Sequence, residues 1–102
     1  MPTMIVLVNL KEDVAPEEYE LWLDERYVPA ILELPSVDEW RGHRVGGLAE
    51  ASGEPPFEYV VTVEINDLQQ LGKDMKSEQV QTLLGELGRY AEVTQLMTER
   101  FV

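Results

Sequence analysis

The chain has 102 residues, 44% of them hydrophobic and 27% charged, and its acidic residues outnumber basic ones 20 to 8 for a formal net charge of −12. That length holds one domain, the composition is that of a globular chain rather than a disordered or fibrous one, and the charge repels phosphate backbones and anionic headgroups, which weighs against nucleic-acid and membrane partners. Cysteine is absent, so there is no disulfide framework, no thiolate nucleophile and no cysteine metal site.

Residues 3–9, TMIVLVN, form an apolar, β-branched run without polar alternation, the pattern of a strand covered on both faces. The run has no basic segment before it and falls far short of the ~20 residues that span a bilayer. The expected protein is therefore soluble, untargeted and cytoplasmic. Pro16, followed by Glu17 and Glu18, opens a helix expected to reach Leu32, because proline's fixed φ suits the first turn and carboxylates suit its dipole. The apolar stripe is Tyr19, Trp22, Leu23, Arg26 or Tyr27, Ala30 and Ile31, with Glu17, Glu20, Asp24 and Glu25 towards solvent.

Pro29 interrupts that pattern. Its missing N–H frees the carbonyl of Glu25 and pushes the turn outward, which predicts a kink near Tyr27. Such a proline is ordinary helix punctuation; on the sharper reading it opens space between helix and sheet, with Tyr27 and Arg26 at the mouth of a cleft. After Leu34, Pro35 and Ser36, residues 37–45 read as a strand with Trp40 and Arg44 on one face and Arg41 and His43 on the other. Residues 46–56 are a loop without phosphate-cradle spacing. FEYVVTVEI, residues 57–65, is the clearest strand. Asn66 or Asp67 caps a second helical region, broken near residues 72–77, and residues 92–101 form the last strand.

The order β-α-β-β-α-β predicts an α+β, ferredoxin-like fold: a four-stranded antiparallel sheet with both helical segments on one face. A first strand apolar on both sides predicts that a second copy covers the open face, sheet against sheet, in a two-fold homodimer. A chain this short buries only about two-thirds of its unfolded surface, so association would help it.

Among groups that carry chemistry, His43 is the only histidine. It can serve as general acid or base if its face turns towards the helices, and is a rim or seam residue if it does not. Arg41 and Arg44 either orient a ligand or pair with surface carboxylates. Tyr19, Trp22, Tyr27, Trp40, Phe57 and Tyr59 are either core or the walls of a flat aromatic pocket. Asp24 and Glu25 act as bases only if desolvated. One histidine without cysteines or ligand spacing makes no metal site.

The segment from Tyr19 to Val37, YELWLDERYVPAILELPSV, followed by a Trp-bearing strand, resembles the dimeric α/β-barrel superfamily. There the helix often carries an aromatic, then His-x-Pro, then a leucine-proline turn. Here the motif reads Tyr27-Val28-Pro29, with tyrosine at the histidine's position, which weighs against oxygenase-like and haem-degrading chemistry. Over its full length the chain is similar to the small RedY-like (HapK) proteins found in prodiginine pigment pathways. The resemblance implies a homodimer that needs no cofactor and binds a pyrrolic or other small aromatic molecule to assist a condensation, cyclisation or proton-transfer step. His43 would be the acid/base, Tyr27 a catalytic hydrogen-bond donor, Arg26 or Arg44 an orienting cation, and Trp22, Trp40 and Tyr59 the walls. The alternative is a non-catalytic module that carries an intermediate or docks onto another biosynthetic enzyme. A cofactor-free monooxygenase is the third reading.

Overall fold

The computed structural model describes residues 2–102. The elements run β1 (Pro2–Leu10), α1 (Pro16–Trp22), a π-helical turn (Leu23–Tyr27), α2 (Val28–Leu32), β2 (Val37–Arg44), β3 (Tyr59–Ile65), α3 (Leu68–Asp74), α4 (Glu78–Tyr90) and β4 (Ala91–Glu99). The strands form one sheet in the order β2-β3-β1-β4, with every neighbouring pair antiparallel. This is the ferredoxin-like α+β fold. The strand bounds differ from the expected ones by one or two residues, because pairing rather than composition ends a strand.

Side-chain parity sorts the sheet into two unlike faces. Val6 and Val8 of β1 and Tyr59, Val61, Val63 and Ile65 of β3 are buried in one cluster with Tyr19, Trp22 and Ile31 of the first helical segment and Leu71, Leu83 and Leu87 of the second. Both helical segments therefore cover the same face. The cross-strand register places Ile5, Leu7, Thr62, Val60, Thr94 and Leu96 on the other face, half-buried or exposed. The apolar character of β1 on both sides thus has one partner within the chain, the helices, and one open side.

The break between α3 and α4 has local causes. Asp67 accepts hydrogen bonds from the Gln69 and Gln70 amides, and Ser77 accepts from the Val80 amide, so each helix has its own N-cap. Asn66, the other expected cap, instead donates to the Pro35 carbonyl and to Asp38. Between the helices Asp74 is buried and accepts from the Ser36 amide at 3.1 Å, the Ser36 hydroxyl at 2.6 Å and the Gln70 side chain at 2.8 Å. These hydrogen bonds, the Ser36 hydroxyl first, hold its carboxyl below the usual range. One carboxylate thereby ties the turn into β2 to the end of α3.

Replacing it strands buried donors. Asp74→Ala is expected to destabilise the fold by about 1–3 kcal/mol, read as a lower urea midpoint at unchanged m-value; a shift smaller than that of Ser36→Ala would mean that Asp74 is not the anchor.

Candidate functional site

The kink predicted at Tyr27 takes the form of a π turn. The Val28 amide donates to the Leu23 carbonyl, five residues back, and proline at position 29 has no amide to contest the wider turn. The consequence is rotational. In a straight α-helix each four-residue step overshoots one turn by roughly 40°, so residues 19, 23, 27 and 31 would drift about 120° round the axis. A wider turn between Leu23 and Tyr27 absorbs that drift, and Tyr19, Leu23, Tyr27 and Ile31 all face one cavity against the sheet.

The cavity is walled on the sheet side by Met4, Val6, Trp40, Val61, Val63 and their neighbours, with Gln95 of β4 contributing an amide. Its volume is about 40 Å³, room for roughly three waters. Among the described residues no histidine, carboxylate or cation lines it. The polar groups of its helical wall are the phenols of Tyr19 and Tyr27. Tyr19 is 1% exposed, and among the described residues neither hydroxyl makes a hydrogen bond, whereas that of Tyr59 does. Burial pushes both phenols up to about 12, Tyr19 also through the neighbouring Tyr27 and Glu20. They are neutral donors at any physiological pH.

The other expected site residues are dispersed. His43 pairs with Val60 on the open face, is exposed, and reaches only the rim of a groove along the β2 edge. It does not share the cavity with Tyr27. Trp22 stands behind Tyr27, ring centroids 5.0 Å apart, and stacks on Tyr90 at 4.9 Å; it supports the wall without being its surface. Arg26, expected at the cleft mouth, forms a two-pronged ion pair with Glu86 of α4, which also accepts from the Trp22 indole at 3.0 Å. Trp40 does line the cavity. Tyr59 packs on Tyr19 at 5.1 Å and donates to Glu20 at 2.7 Å, so it borders the outer groove instead.

Arg44 pairs with that same Glu20, a residue expected in solvent and found half-buried. Arg41 pairs with Glu39 on its own strand. Asp24 and Glu25 are exposed, so neither is desolvated into a base. Tyr19, expected as either core or pocket wall, is both: it is buried in the core cluster and lines the cavity. Among the described residues no cluster of three or more His, Cys, Asp or Glu can hold a metal ion, and no helix is long and apolar enough to cross a membrane.

A family model described as REDY-like protein HapK matches residues 2–101. The crystal structure of HapK from Hahella chejuensis is similar at a TM-score of 0.81 and 27% identity, covering 99% of this chain and 93% of that one. SnoaB, a cofactor-independent oxygenase from Streptomyces nogalater, shares the fold at a TM-score of 0.77 and 14% identity, over 99% of this chain and 94% of that one. So does a dimeric ferredoxin-like protein of unknown function from Thermobifida fusca, at 0.73 and 11%, over 97% and 90%. No curated protein matches the sequence.

Two expectations follow from the site's polar groups. Tyr27→Phe and Tyr19→Phe remove hydroxyls with no partner in the protein, so each should leave stability within about 0.5 kcal/mol of wild type, whereas Tyr59→Phe, which breaks the bond to Glu20, should cost about 1 kcal/mol; equal losses in thermal melts would refute the distinction. Secondly, Arg44 and Tyr59 hold Glu20, and Arg26 and Trp22 hold Glu86, at about 2 instead of 4.5. A depressed folded value contributes stability that is complete above about 4.5 and lost as pH falls towards about 2. Glu86→Gln should accordingly show a shallower loss of urea midpoint over that acid range than wild type; parallel curves would mean that the ion pair does not titrate with folding.

Proposed function

We propose a function for this chain from one premise: it belongs to the REDY-like HapK family. It is a small biosynthetic protein that works without a cofactor, as a homodimer, and binds a neutral, flat aromatic intermediate between the kinked helix and the sheet. The intermediate is pyrrolic, of a prodiginine-like pigment pathway, and the protein assists its condensation, cyclisation or proton transfer. The observation that carries this reading is the otherwise apolar cavity under the kinked helix, to whose wall Tyr19 and Tyr27 bring two phenols with no hydrogen bond among the described residues. A phenol both donates and accepts, so a ligand carbonyl or pyrrole N–H can pair with either of them. The ligand is neutral because no cation lines the cavity to offset a buried anion.

The help such a site can give is orientation and polarisation. Tyr27 donates to a ligand carbonyl, making its carbon more electrophilic, while Trp40 and the strand valines hold the ring plane and exclude water. His43, across the sheet, takes no proton from a ligand so held. That favours a second reading: with no base beside the ligand, the protein holds or carries the intermediate, or presents it to a partner enzyme, without changing it. The monooxygenase reading has least support, with tyrosine where the superfamily's histidine stands.

The open face fits a second copy of the chain. Ile5, Leu7, Val60 and Leu96 form its apolar centre, between threonines. A sheet-on-sheet contact of the usual ~1,600 Å² total would cover that centre, and His43 would then lie at the seam.

Native mass spectrometry after incubation with neutral pyrrole-2-carbaldehydes tests the reading. A complex at unchanged ligand mass supports binding, with Tyr27→Phe weakening it by about tenfold, the value of one buried hydrogen bond. Converted product mass would select the enzyme over the carrier. No complex at millimolar ligand, or equal binding by Tyr27→Phe, would sink the assignment of this cavity.

A further inference from the structure

The cavity under Tyr27, at about 40 Å³, is far below the roughly 300 Å³ at which ligand pockets begin. Something in its wall must move before an aromatic ring enters. Two side chains line both this cavity and the groove along the β2 edge: Leu23 of the π turn and Trp40 of β2. Beyond them the groove continues past Asp24, Val28, Arg44 and Tyr59. The cavity and the groove thus share Leu23 and Trp40 as a common wall.

Trp40 is the movable part of it. It is half-exposed and sits on an edge strand, so only one neighbouring strand constrains it. Its indole lies over Gly42, two residues along on the same face. A Cβ added at Gly42 would meet Trp40 Cζ3 at 2.9 Å and Cη2 at 3.0 Å. Those atoms are the far end of the indole, and the glycine is what leaves the ring its resting place. Gly42 has no need of a positive φ; its lack of a side chain serves the indole alone.

We propose that Trp40, resting on Gly42, is a displaceable partition and that Gly42 is a specificity-determining position. The site accepts an elongated flat aromatic of two joined ring systems, a fused bicycle counting as one, with one seated under Tyr27 and the other in the β2-edge groove in place of the indole. This rests on the proposed aromatic ligand and deepens it by setting the ligand's length. A single ring has nothing to gain from the groove, whereas a two-ring ligand exchanges its second ring for the displaced indole against Leu23 and Val28. The contact Trp40 gives up over Gly42 is thereby replaced by stacking on the ligand.

Calorimetric titration with two neutral probes, indole and 2-phenylindole, tests the proposal on wild type, Trp40→Ala and Gly42→Ala, each checked for its fold by circular dichroism. Removing the partition in Trp40→Ala should raise the affinity for 2-phenylindole relative to that for indole by at least about threefold, since the population cost of opening disappears only for the longer probe. Equal changes for both probes, or none, overturn the partition while leaving the aromatic site standing. If neither probe binds any variant, the aromatic reading itself fails. The partition is then judged by a crystal structure of Gly42→Ala. An indole swung off residue 42, with cavity and groove continuous, supports it; an indole still in place over a displaced strand overturns it.

Discussion

A single missing amide hydrogen governs the arrangement of the helix side of this molecule. Because Pro29 cannot donate to the Glu25 carbonyl, the turn before it widens, with Val28 bonded to Leu23. That widening holds residues 19, 23, 27 and 31 on one line over the sheet. It simultaneously turns residues 22 and 26 sideways, where both reach Glu86 of α4. One backbone irregularity thus makes two surfaces: an apolar wall carrying two phenols, and a polar clamp between the two helical segments.

The clamp illustrates how an acidic chain spends few cations. With 8 basic residues against 20 acidic ones, Arg26 and Arg44 each join distant parts of the chain through one carboxylate, Glu86 or Glu20. Each carboxylate also accepts from an aromatic donor, Trp22 or Tyr59. The aromatic side chains around the cavity are thereby held from behind. Charge-assisted hydrogen bonds to ring N–H and O–H groups fix orientation more than they add stability at such half-exposed positions. The surplus of carboxylates stays in solvent, where it keeps the surface anionic.

The sheet divides the chemistry just as firmly. Parity along β2 sets Trp40 and Gly42 against the helices and Arg41 and His43 on the opposite side. The phenols of Tyr19 and Tyr27 therefore lie on the helix side of the sheet and the His43 imidazole on the open side.

Much of the architecture is local information. Period-two alternation in residues 57–65, the unalternating run of β1, the Pro-Glu-Glu helix start and the Asp67 cap each act within a few residues, so the element order and the kink at Tyr27 were legible in the sequence. So was the fact that His43 and Trp40 oppose one another. Which of them turns inward was not, because parity fixes only relative sides; the pairing of β2 with β3 and the packing of the helices decide the absolute one. Nor could the sequence assign the distant partners of Glu20, Asp74 and Glu86, which lie 24 to 64 residues away along the chain. One acidic side chain among twenty looks like any other until folding brings an arginine, a serine or an indole beside it. The cavity belongs to the same class of fact, since its walls come from all four strands and from both helical segments, and only their packing determines how little space remains between them.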